Sequence, residues 1–381
     1  MKYDFDEMIE RRGTGCVKWD ESEEGVIPLW VADMDFAVAP AIQEAVRQRA
    51  EHPIFAYTLV GDDYYQAIIS WFQRRHNWAI DRESILYTTG VVPAMSCAVK
   101  ALTMPGEKVV MLSPDYNCFF SSIRNNGCEV SESCLQFNGE RFEVDWQDFE
   151  TRCADEKATV FLLCNPHNPT GRVWTREELQ HMSDICHRHR VRIVSDEIHG
   201  ELIMPGNTFC PMGTVDTTAI VLNSPSKSFN TAGLQIANII CTDAETRRRI
   251  DRAININEVC DVNPFAPVAL TAAYNESEEW LDELCPYLWG NYTALCDFVA
   301  QHIPCWTVMP LEGTYLAWVK VRGCSDMETY CNHLTEEAKV WLNPGTMYGA
   351  ESGKGYLRIN LACPRALLME ALERINKTIN K

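Results

Sequence analysis

The chain has 381 residues, with 34 Lys+Arg against 53 Asp+Glu for a formal net charge of −19, and 46% of its residues are apolar. This length and composition predict two or three domains with ample core, exclude general disorder, and disfavour nucleic-acid binding, which needs clustered Lys/Arg. The 17 cysteines include no Cys-x-x-Cys pair, so no zinc site, no other metal and no secreted disulfide scaffold is expected.

In chain order, the opening Met1-Lys2-Tyr3-Asp4-Phe5-Asp6-Glu7 is too polar for a signal peptide. No apolar run approaches the ~20 residues that span a bilayer, so a cytoplasmic protein with reduced thiols and no membrane partner is expected. Residues 1–45 contain Trp30-Val31-Ala32-Asp33-Met34-Asp35-Phe36, are too short to fold alone, and are expected to join the C-terminal unit. Residues 46–280 then alternate apolar runs with amphipathic stretches. Strands are predicted at Ser84–Thr88, Lys108–Leu112, Cys128–Ser131, Thr159–Cys164, Arg192–Ser195, Ala219–Leu222 and Ile236–Cys241, with helices at Ala94–Leu102, Thr175–His189 and Ala244–Asn257. Thr175 and Glu178 form a capping box. The pattern is that of an α/β large domain with a mostly parallel seven-stranded sheet, which binds ligands at the carboxyl ends of its strands. Residues 281–381 read as a smaller α+β domain. A helical pattern around Glu276–His302 leads to strands at Thr307–Met309 and Thr314–Lys320, a helix near Met327–Glu337, a strand at Gly355–Asn360 and a last helix at Arg365–Asn380.

Five strand ends carry groups suited to chemistry. Thr89-Gly90-Val91-Val92-Pro93 opens a helix, whose free amides make a phosphate cradle that Gly90 leaves open to close approach. Tyr116 follows the next strand and can stack on a flat ring, or simply pack in the core. Asn165-Pro166-His167-Asn168-Pro169 has rigid, non-helical backbone that can aim Asn168 at a ring oxygen, or is merely an ordered turn. Asp196-Glu197-Ile198-His199 places an acid where it can keep a pyridine nitrogen protonated, or cap a helix. Asn223-Ser224-Pro225-Ser226-Lys227 offers an amine able to form a Schiff base and two serines able to bind phosphate; a surface lysine on a polar turn is the alternative. The joint occurrence of all five is the strong signal.

Those segments, with Pro225-Ser226-Lys227-Ser228-Phe229-Asn230 and Trp30–Phe36, resemble the aspartate-aminotransferase (class I/II) superfamily of pyridoxal-5′-phosphate (PLP) enzymes, fold type I, over nearly the whole chain. Within it the sequence is most similar to the MalY/PatB branch of cystathionine β-lyases, or cysteine-S-conjugate β-lyases. His199 stands where ordinary aminotransferases carry a tyrosine, and Gln235 where they carry a phosphate-binding arginine. Phosphate binding would therefore depend more on Gly90, Val91, Val92, Ser224 and Ser226. The resemblance implies that Lys227 holds PLP and is the catalytic residue. Asp196 would pair with the ring nitrogen, Asn168 and His199 with the ring oxygen, and Tyr116 would stack on the ring. Tyr57 would reach the phosphate of a neighbouring subunit, requiring a homodimer with a shared site. Arg358 would grip the substrate α-carboxylate, with Asn168 and the backbone at Ala32 assisting. No cysteine falls among these residues.

The implied reaction is β-elimination from a sulfur-containing amino acid: L-cystathionine, L-cysteine or a related S-conjugate yields a thiol, pyruvate and ammonia. Transamination by the same residues is the first alternative. Regulatory binding of a transcription activator, known of some members of this branch, is the second.

Overall fold

Seven apolar runs in the middle of the chain are strands of one sheet: β1 (Ile85–Thr88), β2 (Lys108–Ser113), β3 (Glu129–Cys134), β4 (Ala158–Cys164), β5 (Arg192–Asp196), β6 (Ile220–Asn223) and β7 (Ala237–Ile240). The structure, a computed structural model, describes residues 2–380. The strand order is β1-β7-β6-β5-β4-β2-β3. From β6 to β3 all neighbours are parallel, whereas β7 is antiparallel to both β1 and β6. Parallel strands are covered on both faces, which is why they read as continuous apolar runs; in β4 only Thr159 is not fully buried. Because β7 runs the other way, Gln235 and Ile236, which lead into it, arrive at the edge where β1 and β6 end.

Helices Val91–Leu102, Arg176–His189 and Ala244–Ile256 accompany the sheet. The capping box forms as expected: Glu178 N–H donates to Thr175 Oγ1 at 3.1 Å and Thr175 N–H to Glu178 Oε2 at 2.8 Å. The residue pattern assigns no element to Pro40–Glu51, Asp62–His76, Asn117–Asn125, Trp146–Cys153 or Ala266–Glu276, all of which are helical. In Asp62–His76 the buried Tyr64, Tyr65, Ile68, Trp71 and Phe72 have helical spacing, but aromatic and β-branched side chains weaken that signal.

A second sheet, wholly antiparallel, comprises β8 (Trp306–Val308), β9 (Leu316–Val321), β10 (Asn343–Pro344) and β11 (Tyr356–Asn360), in the order β8-β9-β11-β10. Helix Glu278–His302 is continuous across residues 280 and 281. The helix expected near Met327–Glu337 is α-helical only to His333, then widens into a π turn over Leu334–Ala338.

The N-terminal segment ties the two sheets together. Ile27–Pro28 pairs in parallel with Val340–Trp341, and Trp30 stacks on Trp341 at 4.4 Å. Beyond Trp30 the strap is held from both sides. Asn360 Nδ2 donates to the Val31 and Asp33 carbonyls at 2.5 and 2.6 Å. Asn230 Nδ2 donates to the Met34 and Phe36 carbonyls at 3.0 and 2.9 Å, while its Oδ1 accepts from Met34 N–H at 3.0 Å. The fully buried Lys18 donates to Asp35 at 2.7 Å, anchoring the strap's acidic end. Among the described residues no helix is long and apolar enough to cross a membrane, and no cysteine is disulfide-bonded.

Candidate active site

Strands β1, β2, β4, β5 and β6 deliver residues from their carboxyl ends to one cavity of about 200 Å³, and the N-terminal strap closes it with Ala32. It gathers Gly90, Val91, Val92, Tyr116, Asn168, Asp196, His199, Ser226 and Lys227.

At one end, no side chain caps helix Val91–Leu102, and Pro93 brings no N–H of its own, so the Val91 and Val92 amides lack intrahelical partners. Gly90 has extended backbone, and a Cβ there would meet only Pro93, in ordinary contact at 3.5 Å. Nothing in the chain itself therefore requires glycine here, and the missing side chain leaves the cradle open to close approach. Ser226 lines the same cavity, whereas Ser224 lies behind it. The Ser224 hydroxyl donates to the Ile236 carbonyl at 2.6 Å and accepts from Ser226 N–H at 3.1 Å. Its proton is committed to the chain, and it shapes the loop that carries Ser226.

In the middle stand the titratable groups. Burial, with repulsion from Arg358, pulls the Lys227 amine down to about 8, although Asp33 and Asp196 oppose this. Lys227 Nζ donates to the Ala32 carbonyl at 2.6 Å. Burial pushes Asp196 up to about 7, against a hydrogen bond from Ile198 N–H and the attraction of Lys227. His199 is held well below the usual range by burial and by the cations Lys227 and Arg358, so it is a neutral imidazole. Its Nδ1 is buried and has no partner among the described residues.

Arg358, on β11, lies beside the cavity's Asn168. Its Nη1 donates to Asn168 Oδ1 at 3.1 Å and its Nη2 to the Trp30 carbonyl at 2.9 Å, and its guanidinium lies 4.7 Å from the Tyr348 ring centre. Accepting at Oδ1 leaves the Asn168 amide group free to donate. Tyr57 is 94% exposed and stands apart from these residues.

The chain matches the aminotransferase class I and II family over residues 24–375. It belongs to that family. Cystathionine β-lyase PatB of Bacillus subtilis is 38% identical, the alignment covering 99% of this chain and all of the relative. Among solved structures, cystalysin of Treponema denticola, which contains a PLP cofactor, superposes with a TM-score of 0.96 at 33% identity, covering 100% of this chain and 99% of that one. The PLP-bound C-S lyase of Staphylococcus hominis gives 0.92 at 30% identity, with 100% and 99% covered.

For a class I and II aminotransferase chain the cofactor to test is PLP, and the residues present fit it. Free amides at a helix start suit a phosphate, an amine lies within the same cavity, and a buried acid can share a proton with a ring nitrogen. An aromatic ring lies alongside, and His199 Nδ1 is a buried polar atom still wanting a partner. Sequence reasoning missed several residues of this site. Cys164, which is not among the residues singled out from the sequence, lines the cavity; as the last residue of β4, it is buried and accepts from Asn168 N–H at 3.3 Å. Tyr315, fully buried, donates to the Ala32 carbonyl at 2.9 Å. Cys164 ends a predicted strand, so its place was available as a signal. Tyr315 carries none, since only the fold brings it to the strap.

Proposed function

We propose that this chain is a PLP-dependent carbon–sulfur β-lyase that cleaves L-cystathionine, L-cysteine or related cysteine S-conjugates to a thiol, pyruvate and ammonia. The full-length match to a cystathionine β-lyase carries the reading. Lys227, Asp196 and Asn168 line one cavity, and Arg358 donates to Asn168 beside it, which supports the reading.

When bound, PLP supplies an aldehyde for the substrate amine and a ring that takes up the electrons left at the substrate α-carbon. The amides of Gly90, Val91 and Val92, with Ser226, would hold the phosphate. Tyr116 would pack on the ring, Asp196 would keep the ring nitrogen protonated, and Asn168 and His199 would donate to the ring oxygen. Arg358 binds the α-carboxylate; its fork is aimed by the Trp30 carbonyl and Asn168, and a planar bidentate donor suits that task. With its pKa drawn to about 8, Lys227 Nζ is neutral far more often near neutral pH than an ordinary lysine, and takes the α-proton. The thiolate then leaves the β-carbon, and the resulting aminoacrylate hydrolyses to pyruvate and ammonia.

The working form is a cytoplasmic homodimer. Ile54, Phe55, Tyr57 and Leu59 are 61, 57, 94 and 90% exposed, an apolar run that a second copy would cover. Tyr57 would then reach the phosphate in the neighbouring subunit. Mixing inactive Lys227→Ala and Tyr57→Ala proteins should restore activity if the site is shared, and should not if each chain is self-sufficient.

The deciding assay is pyruvate release from L-cystathionine without a keto-acid acceptor. Conversion of the cofactor to its pyridoxamine form by an amino acid alone, with no thiol released, would replace the lyase reading with transamination.

A further inference from the structure

Arg172 makes a second tie between the two sheets. It closes the loop that follows β4 and carries Asn168: His167 N–H donates to the Arg172 carbonyl, and Gly171 N–H to the His167 carbonyl, both at 2.8 Å. Arg172 is 2% exposed, and each of its three guanidinium nitrogens has an acceptor. Nη1 donates to the Phe142 carbonyl, and Nη2 to both oxygens of Glu178, on a helix of the first sheet, at 3.0 and 2.9 Å. Nε reaches the other way, to Glu312 Oε2 at 2.8 Å, on the connection from β8 to β9 of the second sheet. The same oxygen accepts Val173 N–H at 2.8 Å. Glu312 and Glu178 are 18% and 14% exposed, so neither pair is a screened surface contact. Backbone holds the same junction, since Glu312 and Gly313 N–H both donate to the Gly171 carbonyl at 2.9 Å. A Cβ on Gly171 would lie 2.8 Å from Leu311, and one on Gly313 2.8 Å from Val173, so the two segments approach too closely for side chains between them.

This junction stands at the root of the arm that carries Arg358. The chain runs from Glu312 into β9, whose Trp318 is the cross-strand partner of Arg358 on β11. From Arg172 it runs back through the loop to Asn168, which accepts from Arg358 Nη1 at 3.1 Å. The two routes meet at the Arg358–Asn168 bond and form a closed ring, with the Arg172–Glu312 pair on its far side. Neither Arg172 nor Glu312 lines the cavity.

We infer that Arg172 and Glu312 are positioning residues: their ion pair sets the second sheet against the first, and thereby aims Arg358 at a substrate α-carboxylate. The inference rests on the proposed function for the role of Arg358. Glu178 supplies the comparison. It is an equally close carboxylate on the same guanidinium, but it binds Arg172 to the first sheet alone. Neutralising either acid weakens a buried ion pair, and only the loss of Glu312 releases the second sheet.

The test titrates holoenzyme with L-alanine and with L-alaninamide, which differ only in a carboxylate against a neutral amide and carry no leaving group. The cofactor's absorbance change gives each Kd, and their ratio isolates the grip on the carboxylate. The proteins are the wild type, Glu312→Gln, Glu178→Gln, Arg358→Lys and the double variant Glu312→Gln/Arg358→Lys. Glutamine keeps the size and the oxygen that accepts Val173 N–H at one position and Thr175 N–H at the other. The wild type should prefer L-alanine, and Glu312→Gln should lose roughly tenfold of that preference. Glu178→Gln should keep it, although thermal melting should show both variants destabilised. In the double variant Glu312→Gln should add no loss to that of Arg358→Lys, because its effect passes through Arg358. A preference retained in Glu312→Gln, lost equally in Glu178→Gln, or lost additively in the double variant overturns the inference. If Glu312→Gln does not fold, Arg172→Lys, which keeps the charge but cannot hold both acids, is read by the same ratio. A wild type without preference overturns the role of Arg358 and the inference with it. Absence of pyruvate from L-cystathionine overturns the lyase reading alone, because L-alanine binds without elimination.

Discussion

Lys227 and Tyr315 donate to the same acceptor, the carbonyl oxygen of Ala32, at 2.6 and 2.9 Å. One carbonyl on the N-terminal strap therefore holds the Lys227 amine and, by a second bond, a tyrosine leading into β9. Dividing the oxygen between two donors limits how strongly it favours the charged form of the amine. Tyr315→Phe leaves the carbonyl to Lys227 alone, so the ammonium is favoured and its pKa rises from about 8. The acid limb of the kcat profile, which reports the complex in which substrate has freed the Lys227 amine, should move up by about half a pH unit. A pH–rate profile of the variant checks this; a uniform loss of rate with no shift would assign Tyr315 a packing role only.

Asp196 is the acid among the residues lining the cavity, and under the proposed function it partners the ring nitrogen. Asp196→Asn keeps the shape and the bond from Ile198 N–H, but removes the negative charge. Pyruvate release should fall roughly 10²–10³-fold, and the protein should lose PLP faster on dialysis. Steady-state assay and cofactor absorbance after dialysis measure the two effects.

Arg358 makes two directed bonds at once, to Asn168 Oδ1 and to the Trp30 carbonyl. A lysine cannot span both and still present a planar face to a carboxylate. Arg358→Lys should raise KM by roughly ten- to a hundredfold, with a smaller fall in kcat, for every amino-acid substrate regardless of its side chain.

Glu197 faces away from the cavity and governs stability instead. Burial pushes it up to about 8, although Met212 N–H, Ser195 and Asn165 donate to it. Its folded pKa exceeds the unfolded value, so its contribution is fully present below about 4.5 and is lost as pH rises to about 8. Over that window the melting temperature should carry a downward component that Glu197→Gln removes. Thermal melts of both proteins across pH 5–8.5 provide the comparison; parallel curves would contradict the assignment.

Asn230 holds the strap to the lysine loop by three hydrogen bonds and adopts φ 55°, a left-handed conformation that asparagine tolerates better than alanine. Asn230→Ala should cost about 2–3 kcal/mol by denaturant titration. It should also speed proteolysis before residue 40.

The sequence by itself determined the strand ends and what stands on them. An apolar run followed by a polar turn is a local signal, and in a parallel sheet every such turn lies on one edge. Tyr116, Asn168, Asp196 and Lys227 could thus be assembled on paper, and the Thr175–Glu178 cap read from two residues. Arg358 entered the site through the family resemblance, not through any local pattern, and only the tertiary structure shows what it and other distant groups touch. Arg358 meets Asn168 across 190 positions, and Tyr315 meets Ala32 across 283. The antiparallel direction of β7 brings Gln235 and Ile236 to the site, and Ser224 is turned to the Ile236 carbonyl rather than into the cavity. These placements follow from how the N-terminal strap and the second sheet close over the first. That closure depends on summed burial and pairing between elements far apart in the chain, which local periodicity does not record.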